Sequence, residues 1–262
     1  MKTLTIVIPV YNEAERLKKV LIALSKKPKF KDISLEQIIF VNDGSKDQTL
    51  AVINSKKALI EKKSGAKVKI ISYQANQGKG YAVRKGMQAS KADYTLMMDA
   101  DLSTPLTELN RFLPLIKQNK AVIIGTRKTS QAAIKIPQPL YRQLLGKVFT
   151  LLSQLMLNTW VSDFTCGFKL FNKQAKQQIF DTAVINRWGY DAEIIFLARI
   201  LDFKIYEIPV YWQDDKRSKV NVFRDSLQSL SELLQIRYND LAGIYLPKLV
   251  MKKLPLLSKL AS

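Results

Sequence analysis

The first hundred residues alternate between short strand-like runs and segments with helical spacing, and that alternation constrains the fold more than any other feature. Residues 3–9, 38–41, 67–72 and 94–98 read as strands. Between them, residues 13–26, 49–63 and 79–89 carry apolar side chains at helical spacing, as in Leu17, Val20, Leu21 and Leu24. Strands alternating with helices of this length form a parallel sheet with helices on both faces. Ligands of such sheets sit beyond the carboxyl ends of the strands. Three polar clusters follow strands here: Tyr11-Asn12-Glu13, Asn42-Asp43-Gly44-Ser45 and Asp99-Ala100-Asp101. A common sheet edge would gather them into one site.

The second half changes character. Residues 106–118 read as a helix, and 121–126 as a strand ending at Arg127. Residues 140–160 form a long amphipathic helix with a wide apolar face. Residues 164–171, 191–201 and 204–212 read as strand, helix and strand, and 222–236 as a last helix. With 262 residues and no repeat, low-complexity run or linker, the chain is expected to form one α/β domain over residues 1–236. Residues 237–262 would be a basic amphipathic tail: the stretch from Leu241 onward carries Lys248, Lys252, Lys253 and Lys259 among leucines and no acidic residue.

Composition removes several chemistries. The chain has no histidine, which excludes a His general base, a Ser-His-Asp triad and His-ligated zinc. The single Cys166 excludes an intrachain disulfide and any multi-cysteine metal site, and it reads as an inert packed thiol. A formal charge of +20 favours an anionic partner: nucleic acid, an acidic membrane or a phosphorylated substrate. The apolar residues 4–8 end at Pro9 without a small-residue cleavage site, so they read as a buried strand and not a signal peptide.

Two carboxylates one residue apart at a strand end, Asp99 and Asp101, can turn toward one cation as the chain leaves the sheet; the alternative is a solvated turn. Mg²⁺ or Mn²⁺ is typically held by one or two carboxylates together with phosphates and water. Asp43 could accept a hydrogen bond from a base N–H, or Asp43-Gly44 could be an ordinary turn. Asn76-Gln77-Gly78-Lys79-Gly80 opens a helix, where glycines permit close backbone approach and the N-terminus favours anions. It has neither the Walker nor the Rossmann spacing.

In their order, Val7-Ile8-Pro9-Val10-Tyr11-Asn12-Glu13, Val41-Asn42-Asp43-Gly44-Ser45, Asn76-x-Gly78-Lys79-Gly80 and Asp99-Ala100-Asp101 resemble the inverting family-2 glycosyltransferases of the GT-A fold. The further stretches 99–105, 163–171, 188–193 and 217–220 are similar to the dolichyl-phosphate β-glucosyltransferase branch. The resemblance runs from about residue 3 to residue 236. It implies a central, mostly parallel sheet and a nucleotide-sugar pocket lined by Pro9, Tyr11, Glu13, Gly78, Lys79 and Ala100. Asp43 would read the base, Asp99 would contact nucleotide or metal, and Asp101 would be the surer ligand of Mg²⁺ or Mn²⁺. Arg127, Arg217 and Lys219 would face phosphates, with Asp101, Asp191, Arg127 and Lys219 serving the reaction. Asp191 and Glu193 would lie near the sugar or metal. Taken alone, Tyr11 and Trp188 read more simply as core aromatics than as sugar platforms.

The resemblance also gives the missing histidine a rationale. A lipid monophosphate, with a second pKa near ~6, is largely dianionic at neutral pH and can attack without a strong base. The implied partners are a nucleotide sugar, UDP-glucose favoured, and a polyprenyl or dolichyl phosphate. GDP-mannose, another donor or a saccharide acceptor are the alternatives. A nucleic-acid partner is disfavoured because the acidic clusters would repel a phosphate backbone. No run of ~18 uncharged apolar residues occurs. The chain is therefore expected to sit peripherally on an anionic surface, the cytoplasmic leaflet, through residues 140–160 and the lysine-rich tail; the alternative for each is a helix packed against the domain.

Overall fold

A computed structural model describes residues 1–26, 30, 32–129, 131–136, 139–215, 217 and 222–245. The alternation seen in the sequence becomes β1 (Lys2–Val10), α1 (Leu17–Leu24), β2 (Ile33–Asp43), α2 (Thr49–Ser64), β3 (Lys67–Tyr73), α3 (Lys79–Ala89) and β4 (Tyr94–Met98). Then follow a 3-10 turn (Leu106–Arg111), α4 (Leu113–Lys117), β5 (Val122–Thr126), β6 (Ile134–Ile136) and α5 (Leu140–Leu157). The chain continues through β7 (Phe168–Asn172), α6 (Lys173–Thr182), α7 (Tyr190–Ile200), β8 (Ile205–Pro209), β9 (Trp212–Gln213) and α8 (Val222–Leu241).

Seven strands form one sheet in the order β3-β2-β1-β4-β7-β5-β8, parallel except for β7, which runs antiparallel to β4 and β5. The first three strands proceed outward, and β4 returns to the other side of β1. The crevice at this reversal lies between the carboxyl ends of β1 and β4, where ligands of open α/β sheets bind. The β1–β4 ladder ends at Val7↔Met97, while β1 stays paired with β2 through Pro9↔Val41 and Val10↔Asn42. Pro9, which has no N–H to donate, thus falls where one neighbour has already departed.

Period-two alternation divides the core. Leu4, Ile6, Ile8 and Val10 pack with α1, α2 and α4 on one face, and Val7 packs with α3, α6, α7 and α8 on the other. Three local expectations change. The expected helix over 106–118 is broken at Phe112, because Pro114 lacks an N–H and its ring excludes a continuous helix through that turn. The expected strand over 164–171 begins only at Phe168 and leads into α6, a helix with no counterpart among the expected elements; Asn172 caps it by accepting from the Ala175 N–H at 2.8 Å. The expected strand over 204–212 is two, β8 in the large sheet and β9 paired with β6. At the other end, the expected boundary at residues 236 and 237 falls inside α8, and Tyr245 is buried against α7. Residues 246–262, most of the expected tail, lie outside the described residues.

Candidate active site

The strand ends build the site as their polar clusters require. Pro9, Tyr11 and Glu13 leave β1, Asp43 ends β2, Gly78 and Lys79 open α3, and Asp99, Ala100 and Asp101 leave β4. All nine line one cleft of about 1060 Å³. Tyr11 is 42% exposed at its rim, so it is a wall of the cleft and not the core aromatic that its chemistry alone suggested.

Asp43 is buried and organises the loop opposite. Its carboxylate accepts from the Gln77 N–H (2.8 Å), the Gly78 N–H (3.0 Å) and the Asn76 side-chain amide (2.8 Å). Gly78 adopts φ +104°, and a Cβ there would stand 2.4 Å from the Asn186 carbonyl oxygen. Only glycine suits both the conformation and the contact.

The paired carboxylates are tightly framed. Lys79 Nζ lies 2.7 Å from Asp99 Oδ1, and Arg16 Nη2 donates to Asp101 Oδ2 at 2.6 Å. The Ser103 N–H donates to the other Asp101 oxygen at 2.9 Å. Burial pulls the Lys79 ammonium down, but Asp99, Asp191 and Asp101 outweigh it and hold its pKa above the ordinary value. Gly167 backs Asp99 so closely that a Cβ there would fall 1.9 Å from Asp99 Oδ2. Among the described residues no group of three or more His, Cys, Asp or Glu side chains converges as a metal cage. Asp99 and Asp101 supply carboxylate oxygens only, the donor chemistry of a hard cation that phosphate and water would complete.

A second cavity, of about 440 Å³, meets the first and shares Asp99, Asp101, Trp188, Asp225 and Leu227 with it. Its walls are largely apolar: Leu145, Val148, Phe149 and Leu152 from α5, Leu230 from α8, and Trp212. Arg127 and Arg142 also line it. Arg127 is bound through Nε and Nη2 to the fully buried Asp163 (2.7 and 2.8 Å), and its guanidinium lies 5.3 Å from the Trp212 ring centre. Burial works against both charges of this pair; Asp163 nevertheless keeps Arg127 above its ordinary pKa, and Arg127 keeps Asp163 below the usual carboxylate range.

The other expected residues line neither cavity or lie outside the described residues. Asp191 lines neither cavity; it is buried with its carboxylate 2.5 Å from Lys169 Nζ. Glu193 is wholly buried on the far side of α7, accepting from the Val184 and Ile185 N–H groups and from Tyr245 Oη, so it holds a loop and not a sugar. Arg217 is bound to Asp215 and lines neither cavity, and Lys219 lies outside the described residues. Cys166 is buried as expected, and burial pushes its thiol up to about 12.

A model of glycosyl transferase family 2 matches residues 5–180. The chain belongs to glycosyl transferase family 2. Among curated relatives, a dolichyl-phosphate β-glucosyltransferase of Dictyostelium discoideum is 32% identical over 251 residues, spanning 92% of this chain and 76% of the relative. The human enzyme of the same name is 33% identical and spans 93% and 78%, respectively. Of solved structures, glucosyl-3-phosphoglycerate synthase from Mycobacterium tuberculosis with Mn²⁺, UDP and glucosyl-3-phosphoglycerate superposes with a TM-score of 0.61 at 20% identity, covering 90% of this chain and 80% of that one. Mannosyl-3-phosphoglycerate synthase from Rubrobacter xylanophilus superposes at 0.64 and 17% identity, covering 92% and 75%. These establish a GT-A-like fold and bear out the resemblance read from the motifs.

The site of this family-2 transferase includes residues that sequence reasoning missed. Arg16, Arg187, Arg224 and Gln228 line the larger cleft; Trp188, whose chemistry alone suggested a core aromatic, instead lines both cavities, with Lys79 Nζ 5.9 Å from its ring centre. The basic character of Arg16 was visible beside Glu13. Arg187 and Arg224 come from segments that only the packing of α7 and α8 brings to the strand ends.

Proposed function

We propose that this family-2 enzyme transfers glucose from UDP-glucose to a polyprenyl or dolichyl phosphate, with inversion, at an anionic membrane surface. The observation that carries this reading is the junction of two unlike cavities at Asp99, Asp101 and Trp188. One is polar and lies at the sheet reversal, and the other is apolar and walled by α5 and α8. The first suits a nucleotide sugar, the second the proximal isoprene units of a lipid acceptor. The names of the curated relatives support the same donor sugar and acceptor class.

In this reading Asp43, with about four acceptor sites and three loop donors upon it, retains capacity for a base N–H. Asp99 and Asp101 would hold Mg²⁺ or Mn²⁺, which supplies charge stabilisation for the departing diphosphate. Lys79, Arg187 and Arg224 line the same cleft and add fixed positive charge there. Arg127 and Arg142, in the second cavity, would steady the acceptor phosphate. One of its oxygens attacks the anomeric carbon, forming the new C–O bond as the bond to the nucleotide β-phosphate breaks. The acceptor arrives dianionic, so no histidine is needed.

Helix α5 supports the membrane part of the reading. It buries Leu157 with Thr150 and Ser153 and packs Phe149, Leu152 and Met156 on the core, yet leaves Leu144 (64%), Leu151 (53%) and Leu155 (60%) exposed, so it carries apolar side chains on both faces. Trp160 is likewise exposed, and from residue 109 to 162 the sequence has no acidic residue. An apolar face in basic surroundings suits the cytoplasmic leaflet of a membrane. Among the described residues no helix is long and apolar enough to cross one.

The test is transfer from radiolabelled UDP-glucose, GDP-mannose and other donors to a short polyprenyl phosphate and to free saccharides. Glucosyl transfer to the lipid phosphate is expected. Transfer only to a saccharide hydroxyl would remove the lipid-acceptor claim.

A further inference from the structure

Both carboxylates of the Asp99-Ala100-Asp101 turn already carry a cation. Lys79 Nζ stands 2.7 Å from Asp99 Oδ1 and Arg16 Nη2 stands 2.6 Å from Asp101 Oδ2, while the Ser103 N–H takes the remaining Asp101 oxygen. Arg16 is only 12% exposed and also meets Glu13 through Nη1 at 3.2 Å. Its Nε is buried without a hydrogen-bond partner. This guanidinium is therefore held against the carboxylate at the floor of the cleft.

We infer that Arg16 and Lys79 are exchange cations, neutralising Asp101 and Asp99 until a divalent metal enters together with a diphosphate, whose oxygens then receive the two displaced side chains. The inference rests on the reading of Asp99 and Asp101 as the metal-holding pair and goes beyond it by assigning an order of events. A bare metal ion must separate two partly buried ion pairs, leaving Arg16 with Glu13 as its remaining contact partner and Lys79 without Asp99, both beside the added divalent charge. A nucleoside diphosphate removes that obstacle because it brings acceptors for both. The metal is thus kept out of the empty cleft and admitted with the nucleotide. Arg16, which joins Asp101 to Glu13 at the start of α1, is a positioning residue of the metal site.

The experiment titrates Mn²⁺ into the full chain by electron paramagnetic resonance, with and without UDP. Wild-type protein should bind free Mn²⁺ weakly and bind it much more tightly once UDP is present. Arg16→Gln should tighten binding of free Mn²⁺ by about tenfold, a gain that mere loss of structure cannot produce. Arg16→Lys, which keeps the charge, should return free-Mn²⁺ affinity toward the wild-type value. UDP-dependent Mn²⁺ binding that survives in Arg16→Gln reports an intact cleft. If that binding survives and free-Mn²⁺ affinity is unchanged or weaker, the exchange is overturned while the metal site stands. If wild-type protein binds no Mn²⁺ even with UDP, both the site and the exchange fall.

Discussion

At Gly167 a single methyl group decides where Asp99 can sit. A Cβ at this position would lie 1.9 Å from Asp99 Oδ2, so Gly167→Ala must push the carboxylate away from its place beside Lys79. Misplacing a reacting or positioning group by about 1 Å commonly costs ~100-fold in rate. Gly167→Ala should lower kcat/KM for glucosyl transfer by about that factor while leaving the thermal midpoint nearly unchanged. The neighbouring Cys166 differs in kind: with its thiol raised to about 12 and its side chain buried, it should resist a thiol-directed reagent until the protein is unfolded in urea. Asp163 supplies the pH dependence. Arg127 overcomes the effect of burial and holds its carboxyl below the usual range, so the unfolded chain binds the proton first as pH falls. Stability from this pair is therefore present above the unfolded carboxylate pKa of ~3.9 and is lost as pH drops below it. Urea midpoints measured from neutral to acid pH should fall more steeply for wild type than for Asp163→Asn. That variant should already be weakened by about 3–5 kcal/mol at neutral pH, because it leaves Arg127 partly buried without its counter-ion.

Among the elements, α5 and α8 are the pair whose sequence and environment disagree most openly. Each presents leucines outward, Leu144, Leu151 and Leu155 on α5 and Leu234 and Leu241 on α8. Both also line the apolar cavity through other residues, Phe149 and Leu152 on one and Leu230 on the other. α8 reaches the site itself, since buried Glu232 accepts from the Gly189 N–H at 2.5 Å, next to Trp188. The amphipathic character of residues 140–160 was legible in the sequence. Which face turned inward was not, because burial of Thr150 and Ser153 depends on neighbours that periodicity cannot report. Replacing Leu144, Leu151 and Leu155 together by Glu should abolish flotation with anionic vesicles. UDP binding should persist, because none of the three lines the nucleotide cleft.

For the whole molecule, the surplus of +20 finds two uses at different distances. Arg16 and Lys79 act at contact range on carboxylates, where salt screens little; in the proposed function, lysines on the outer surface would act on a membrane through solvent, where it screens strongly. Vesicle binding should accordingly weaken as ionic strength rises, while UDP-dependent Mn²⁺ binding changes far less. The strand ends that carry Asp43, Asp99 and Asp101 were readable because a parallel sheet obliges its loops to share an edge. Arg187 and Arg224 were not, since their approach depends on how α7 and α8 dock, and the pairing of Asp191 with Lys169 depends on the reversed strand β7. That strand has another effect, on the order in which the chain can be completed during synthesis. The half-sheet β3-β2-β1-β4 has all its residues by Met98, and β5 follows soon after, yet β4 and β5 are joined only through β7. Until residues 168–172 leave the ribosome, β4 exposes an unsatisfied edge of the kind that invites wrong pairing in nascent chains. Gly167 arrives with the same segment, so the wall behind Asp99 is added at the moment the two halves are closed.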